Sequence, residues 1–213
     1  NTARAHFESI LGRTSTIASK VAKVDTSAII ARVQAKKERQ EKEDAKNQAY
    51  KDKRLADFDA LFKTLPHEVG DHAYLVKKFG HLAPQAALLL DMRRDNDALG
   101  DYIAYALYGQ NSRVCGYQRI YAEIPKGRED NKDFIGKTGG AFAIVGDPST
   151  ISGRAYIAEG LSNAISFTLA ENKACFVALN AGNLEKVVPF VRREYANNIT
   201  MLADNDRKSL ADN

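Results

Sequence analysis

Residues 155–206 read AYIAEGLSNAISFTLAENKACFVALNAGNLEKVVPFVRREYANNITMLADND, and the alternation within them decides the fold. Short apolar runs at 156–158, 175–179 and 199–203 have the length and β-branched or aromatic content of strands. Between them, 161–170 and 184–195 carry apolar residues at helical spacing. A further apolar run at 142–145 precedes the turn GDPSTISG (146–153). Apolar strands separated by helices of ten or so residues predict a parallel sheet buried on both faces, flanked by helices: an α/β fold.

Ligands of such sheets bind outside the carboxyl ends of the strands. Three of those ends are polar here: Glu159 follows YIA, Asn180 follows FVAL, and Asp204 and Asp206 follow ITMLA. Neighbouring strands would bring Glu159 and the aspartate pair together, and clustered carboxylates suit a cation such as Mg²⁺, which takes oxygen donors and completes its shell with water and substrate phosphates. Each acid taken alone reads more readily as a helix cap.

Upstream, residues 74–79 and 84–91 read as short helices and 114–124 as a strand bent at Gly116, followed by the turn-rich, intermittently basic PKGREDNKDFIGKTGG (125–140). Composition changes near residue 65. The first 65 residues hold one Gly and no Pro, with 14 Lys/Arg against 9 Asp/Glu; the rest holds 13 Gly, all five Pro, and 17 basic against 18 acidic residues. The net charge of +4 therefore belongs to the N-terminal part. From residue 26 to 65 good helix formers dominate, and KKERQEKEDAKNQAYKDKR (36–54) offers almost nothing to bury. Such a helix is a solvated spacer whose apolar end at Leu55, Phe58, Leu61 and Phe62 docks on the next domain, or a basic arm for nucleic-acid phosphates. Three parts are expected: a charged helical extension (1–65), an α+β subdomain (66–150) and the parallel-sheet core (151–213).

Several classes are set aside. No apolar run approaches the ~20 residues of a membrane span, and no secretory leader is visible in NTARAHFESI. Cys115 and Cys175 stand alone, so neither a disulfide scaffold nor a zinc site is indicated, and a cytoplasmic setting is the default. GKTGG lacks the spacing of a phosphate-binding P-loop. The Ser and Thr of GDPSTISG have no partnered His, so a serine hydrolase is unsupported. With no initiating Met, the chain reads as a piece of a longer polypeptide.

IAEG, VALNAGNL and MLADND, in that order and spacing, resemble a Toprim domain, the catalytic fold of DnaG-type primases, topoisomerases and some nucleases. YQRIYAEI (117–124) and NKDFIGKTGGAFAIVGD (131–147) narrow the resemblance to the Toprim-bearing primases of plasmids, phages and other mobile elements. It covers residues 66–208 and leaves out the N-terminal helix.

The resemblance implies a nucleotidyltransferase that makes short RNA primers on single-stranded DNA from nucleoside triphosphates. Glu159 would be the catalytic acid and a metal ligand, with Asp204 and Asp206 the Mg²⁺ (or Mn²⁺) pair. Arg119, Lys132 and Lys137 would line the path of template and nucleotide, and Asn180 or Asn183 would orient the crevice. A replicative helicase or a conjugative relaxase would be expected in the same polypeptide. Metal-dependent strand cleavage and a non-catalytic single-stranded-DNA-binding or interaction domain are the other readings. The chain departs from the family at three places: it has no zinc-binding Cys/His cluster, its Toprim core reads as shortened after Asp206, and Asp133 stands where an arginine is usual.

Overall fold

The structure is a computed structural model that describes residues 26–203. It is a mixed α/β fold. Contacts divide the chain into a first unit ending at Ala49 and a second beginning at Tyr50. Helix α1 (Thr26–Phe62) is followed by α2 (Ala73–Phe79), a 3-10 turn (Gly80–Leu82) and α3 (Ala83–Ala87). Four strands come next: β1 (Met92–Asp97), β2 (Gly100–Tyr108), β3 (Val114–Tyr121) and β4 (Lys132–Gly136). The remainder is β5 (Ala143–Val145), a 3-10 turn (Pro148–Thr150), β6 (Arg154–Ala158), α4 (Leu161–Glu171), β7 (Cys175–Val177), α5 (Ala181–Glu194) and β8 (Asn198–Leu202). No helix among the described residues is long and apolar enough to cross a membrane.

The first sheet is an antiparallel meander in the order β1-β2-β3-β4. Both of its faces are covered, which is why β2 (GDYIAYALY) is apolar on both sides. Tyr102, Ala104, Tyr117 and Tyr121 face the end of α1 and pack with Phe58 and Phe62. Ile103, Tyr105, Leu107 and Ile120 face the main core. Burying Phe58 and Phe62 stabilises that end of α1 by roughly 1.5–3 kcal/mol each. β3 and β4 approach closely where Gly116 pairs with Gly136. A Cβ on Gly136 would stand 2.6 Å from the Cys115 carbonyl oxygen, and its φ of +84° favours glycine in any case.

The second sheet has the order β5-β7-β6-β8. β6 runs parallel to β7 and to β8, joined by α4 and α5. The expected parallel sheet is thus three strands, because β5 runs antiparallel to β7 and closes one edge. Side chains alternate with period two: Cys175 and Val177 join the main core with Leu161, Ala164 and Ile165 of α4, while Phe176, Ala155 and Ile157 pack under Val187, Phe190 and Val191 of α5.

Several expected elements differ in extent; the strand expected at 114–124 ends at Tyr121 and the one at 175–179 at Val177. The helix expected at 84–91 ends at Ala87. The helix expected from Leu184 starts three residues earlier, because the Asn180 side chain accepts the Asn183 N–H at 3.0 Å and caps it.

Candidate active site

Three parallel strands send their carboxyl ends to one rim. Ala158 pairs with Val177 of β7 on one side and with Leu202 of β8 on the other. Glu159, Ala178 and Ala203 therefore leave the sheet together. β5 enters from the same end, since Ala143 pairs with Val177, so the 137–141 segment before it also borders the rim. Helices α4 and α5 begin there, as the connections between parallel strands require.

Glu159 follows β6 directly and is half-buried. Among the described residues its carboxylate has no hydrogen bond or ion pair. Asp204 and Asp206 lie outside the described residues, whose last strand ends one residue before Ala203. Among the described residues, no three His, Cys, Asp or Glu side chains gather closely enough to hold a metal. A strand-end carboxylate with no partner among the described residues is the kind of donor Mg²⁺ takes. The described part of the rim thus offers one ligand of the expected type.

The rest of the rim is held by Asn183. Its side chain is 5% exposed. The carboxamide oxygen accepts the Gly140 N–H at 2.6 Å, and the nitrogen donates to the carbonyls of Ala141 and Ala178, each at 2.8 Å. One side chain thereby ties the loop entering β5 to the end of β7. Leu179, between that end and the cap residue Asn180, has φ +76°, a left-handed backbone that a leucine adopts only when its surroundings impose it. Asn180 itself is exposed and serves as the helix cap.

The basic residues fall in different places. Lys132 is exposed and pairs with Ile120, so it lies on the sheet face of Gln118 and Phe134. Lys137 is exposed just past β4 and lines a cavity of ≈ 370 Å³ with Asn111, Cys115, Gly140 and Lys186. Lys186 carries no local signal in the sequence; only the packing of α5 brings it beside Gly139.

Arg119, expected along the path of template and nucleotide, is engaged within the protein. It points to the opposite face, toward α1, and is 8% exposed. Its guanidinium is bonded to Asp97 at 2.6 Å and to Asp133, and lies over the rings of Phe58, Tyr102 and Tyr121. Asp133, the residue that departs from the family pattern, is the reason. It takes Arg119 together with Arg128 and Arg54. Burial works to raise the Asp133 carboxyl, but these hydrogen bonds and charges hold it below the ordinary value. Gln118 is equally committed, as acceptor of the Tyr105 hydroxyl, whose own ionisation burial pushes far up.

No family model matches the chain, and no curated protein does. Solved structures do match. A DnaG catalytic core is similar with TM-score 0.50 at 13% identity, over 70% of this chain and 61% of that one. The E. coli primase catalytic core gives 0.48 at 12% identity over 70% and 62%. A DnaG primase catalytic domain bound to single-stranded DNA gives 0.49 at 12% over 75% and 64%. The chain spans about three-fifths of the length of these structures, 61–64%. At such identity, what the chain shares with the DnaG catalytic core is the fold.

Proposed function

We propose that the chain is a primase-type nucleotidyltransferase module that joins nucleotides into short RNA primers on single-stranded DNA. One observation carries the reading. Ala158 and Leu202 are partners on adjacent parallel strands, so the residue after each leaves at one rim, and the sequence puts Glu159 after one strand and Ala203-Asp204-Asn205-Asp206 after the other. The likeness to a DnaG catalytic core supports the fold on which the reading rests. The sequence resemblance adds the Toprim assignment and the setting of a mobile element, where a helicase or relaxase would belong to the same polypeptide.

On this reading Glu159, Asp204 and Asp206 hold Mg²⁺ or Mn²⁺. When bound, the metal supplies charge that offsets the phosphoryl oxygens and eases attack by a hydroxyl. Lys132 and Lys137, both exposed, hold phosphates of template or nucleotide by charge. Asn183 fixes the loop just after Lys137 through its bond to Gly140. Arg119 has no part in contacting nucleic acid and instead holds α1 to the first sheet.

The test is primer synthesis by the full chain on a single-stranded template with labelled nucleoside triphosphates. Short RNA products are expected with Mg²⁺ or Mn²⁺, none after chelation, and none from Glu159→Gln or Asp204→Asn proteins with unchanged circular dichroism. Synthesis by both variants would refute the site, and shortening of labelled DNA without extension would point to strand cleavage.

A further inference from the structure

The N-terminal unit offers a second surface that does not depend on the rim. Every residue from 30 to 49 is exposed along α1. This stretch carries Arg32, Lys36, Lys37, Arg39, Lys42 and Lys46 against Glu38, Glu41, Glu43 and Asp44, a surplus of only two. Their arrangement matters more than their sum. At 3.6 residues per turn, Arg32, Lys36, Arg39, Lys42 and Lys46 fall within about 120° of the helix circumference and extend about 21 Å along it. Glu43 is the one acid in that arc. Glu38, Glu41 and Asp44 fall on the other side, and Lys37 falls there with them.

The acidic side is partly satisfied within the helix. Lys37 pairs with Glu41 at 3.8 Å, and Gln40 donates to Asp44 at 3.0 Å. The five cations of the stripe make no ion pair among the described residues. We infer that this stripe binds a nucleic-acid backbone through its phosphates, independently of base sequence. The partner is chosen by what the helix lacks. A membrane-surface helix needs a broad apolar flank, and a second helix needs an apolar seam. Ile30 and Val33 are exposed at the start of this stretch, but from residue 34 to 49 the only apolar side chains are Ala35, Ala45 and Ala49, too few for either. A polyanion needs neither, and rows of Lys and Arg gain affinity by releasing its counterions.

The test uses the full chain and a fluorescent 30-nucleotide oligothymidylate, titrated across a salt series. Neutralising up to five phosphates gives a slope of log affinity against log salt of up to about −3.5, or about 100-fold between 50 and 200 mM. The variant Arg32→Gln/Lys36→Gln/Arg39→Gln/Lys42→Gln/Lys46→Gln keeps helix-forming residues and should flatten the slope by 2 to 3.5, roughly, with helix content unchanged. A second variant moves charge without removing it: Lys36→Gln with Gln34→Lys, and Arg39→Gln with Ala45→Arg. It should also bind more weakly. An unchanged slope in the first variant, or full affinity in the second, overturns the proposal. So does stripe-dependent self-association in sedimentation, or stripe-dependent binding to phosphatidylserine vesicles without binding to the oligonucleotide. Glu159→Gln should keep the salt-dependent binding whether or not the wild-type protein makes primers, so the two proposals fail separately.

Discussion

The Asn183 carboxamide oxygen accepts the Gly140 N–H at 2.6 Å across 43 residues of chain, fastening the loop before β5 to the start of α5. The same group satisfies two carbonyls, so three backbone groups of the rim depend on one side chain. Leaving buried polar groups without partners costs about 1–3 kcal/mol. Asn183→Leu should therefore lower unfolding stability in urea by about 2–4 kcal/mol. An unchanged midpoint would show that other groups fasten the rim.

Arg119 should prove a stability residue. Arg119→Met removes a buried cation, which takes the ion-pair partner from Asp97 and leaves Asp133 with Arg128 and Arg54 alone. Breaking one side of such a pair costs about 3–5 kcal/mol. Arg119→Lys should recover little, because an ammonium reproduces neither the forked bonding nor the stacking. Chemical denaturation distinguishes these outcomes from a surface role, in which both substitutions would fall within about 0.5 kcal/mol of wild type.

Two of the carboxyls held low are partly buried and contribute to the acid limit. Hydrogen bonds from Arg94 hold Asp101 below its ordinary value of 3.8, and Asp133 is also held low, the Arg119 and Arg128 bonds outweighing its burial. In the unfolded chain both bind protons more readily. Their contribution is full above about pH 4 and is lost as pH falls through the folded values. The urea midpoint should be flat from pH 7 to 5 on their account and fall below 4. A midpoint that holds at pH 3 would contradict the pairing.

At Gly136 a methyl group meets backbone. Gly136→Ala combines a contact 2.6 Å from the Cys115 carbonyl oxygen with a positive φ. It should cost about 1–3 kcal/mol, read as a lowered thermal midpoint. Glu159→Gln makes the opposite case: a half-buried side chain without partners among the described residues should change stability by less than about 0.5 kcal/mol while ending primer synthesis.

The second sheet was legible because its strands are short apolar runs between helical spacings, and every buried position of β6 and β7 follows the period-two rule. The first sheet was less so. β1 reads MRRDND, with no apolar alternation, because Arg94 is paired with Asp101 of β2 and Asp71. β4 sits in a segment whose Gly, Lys and Asp read as turn. The direction of β5 has no local signature in three residues; it is set by pairing with β7, thirty residues on. Arg119 was readable as a charge, but its burial depends on Phe58, 61 residues upstream, and on Asp133. Glu159 was readable as a strand-end acid, and the register of β6 with β8 puts the residues that follow Ala158 and Leu202 at one rim. Asp204 and Asp206 lie beyond the described residues.

The two sheets also differ in how far apart their partners lie along the chain. In the meander, Asp97 meets Gly100 three residues later, while β6 meets β8 only by joining Arg154 to Asn198 across 44 residues. Closing short loops first is entropically easier, and distant pairings form slowly. The hairpins of β1–β4 are thus expected to form first, and the end of the molecule bearing Glu159 last. Substitutions in β8 should accelerate unfolding with little effect on the refolding rate, and those in the β2–β3 hairpin should slow refolding.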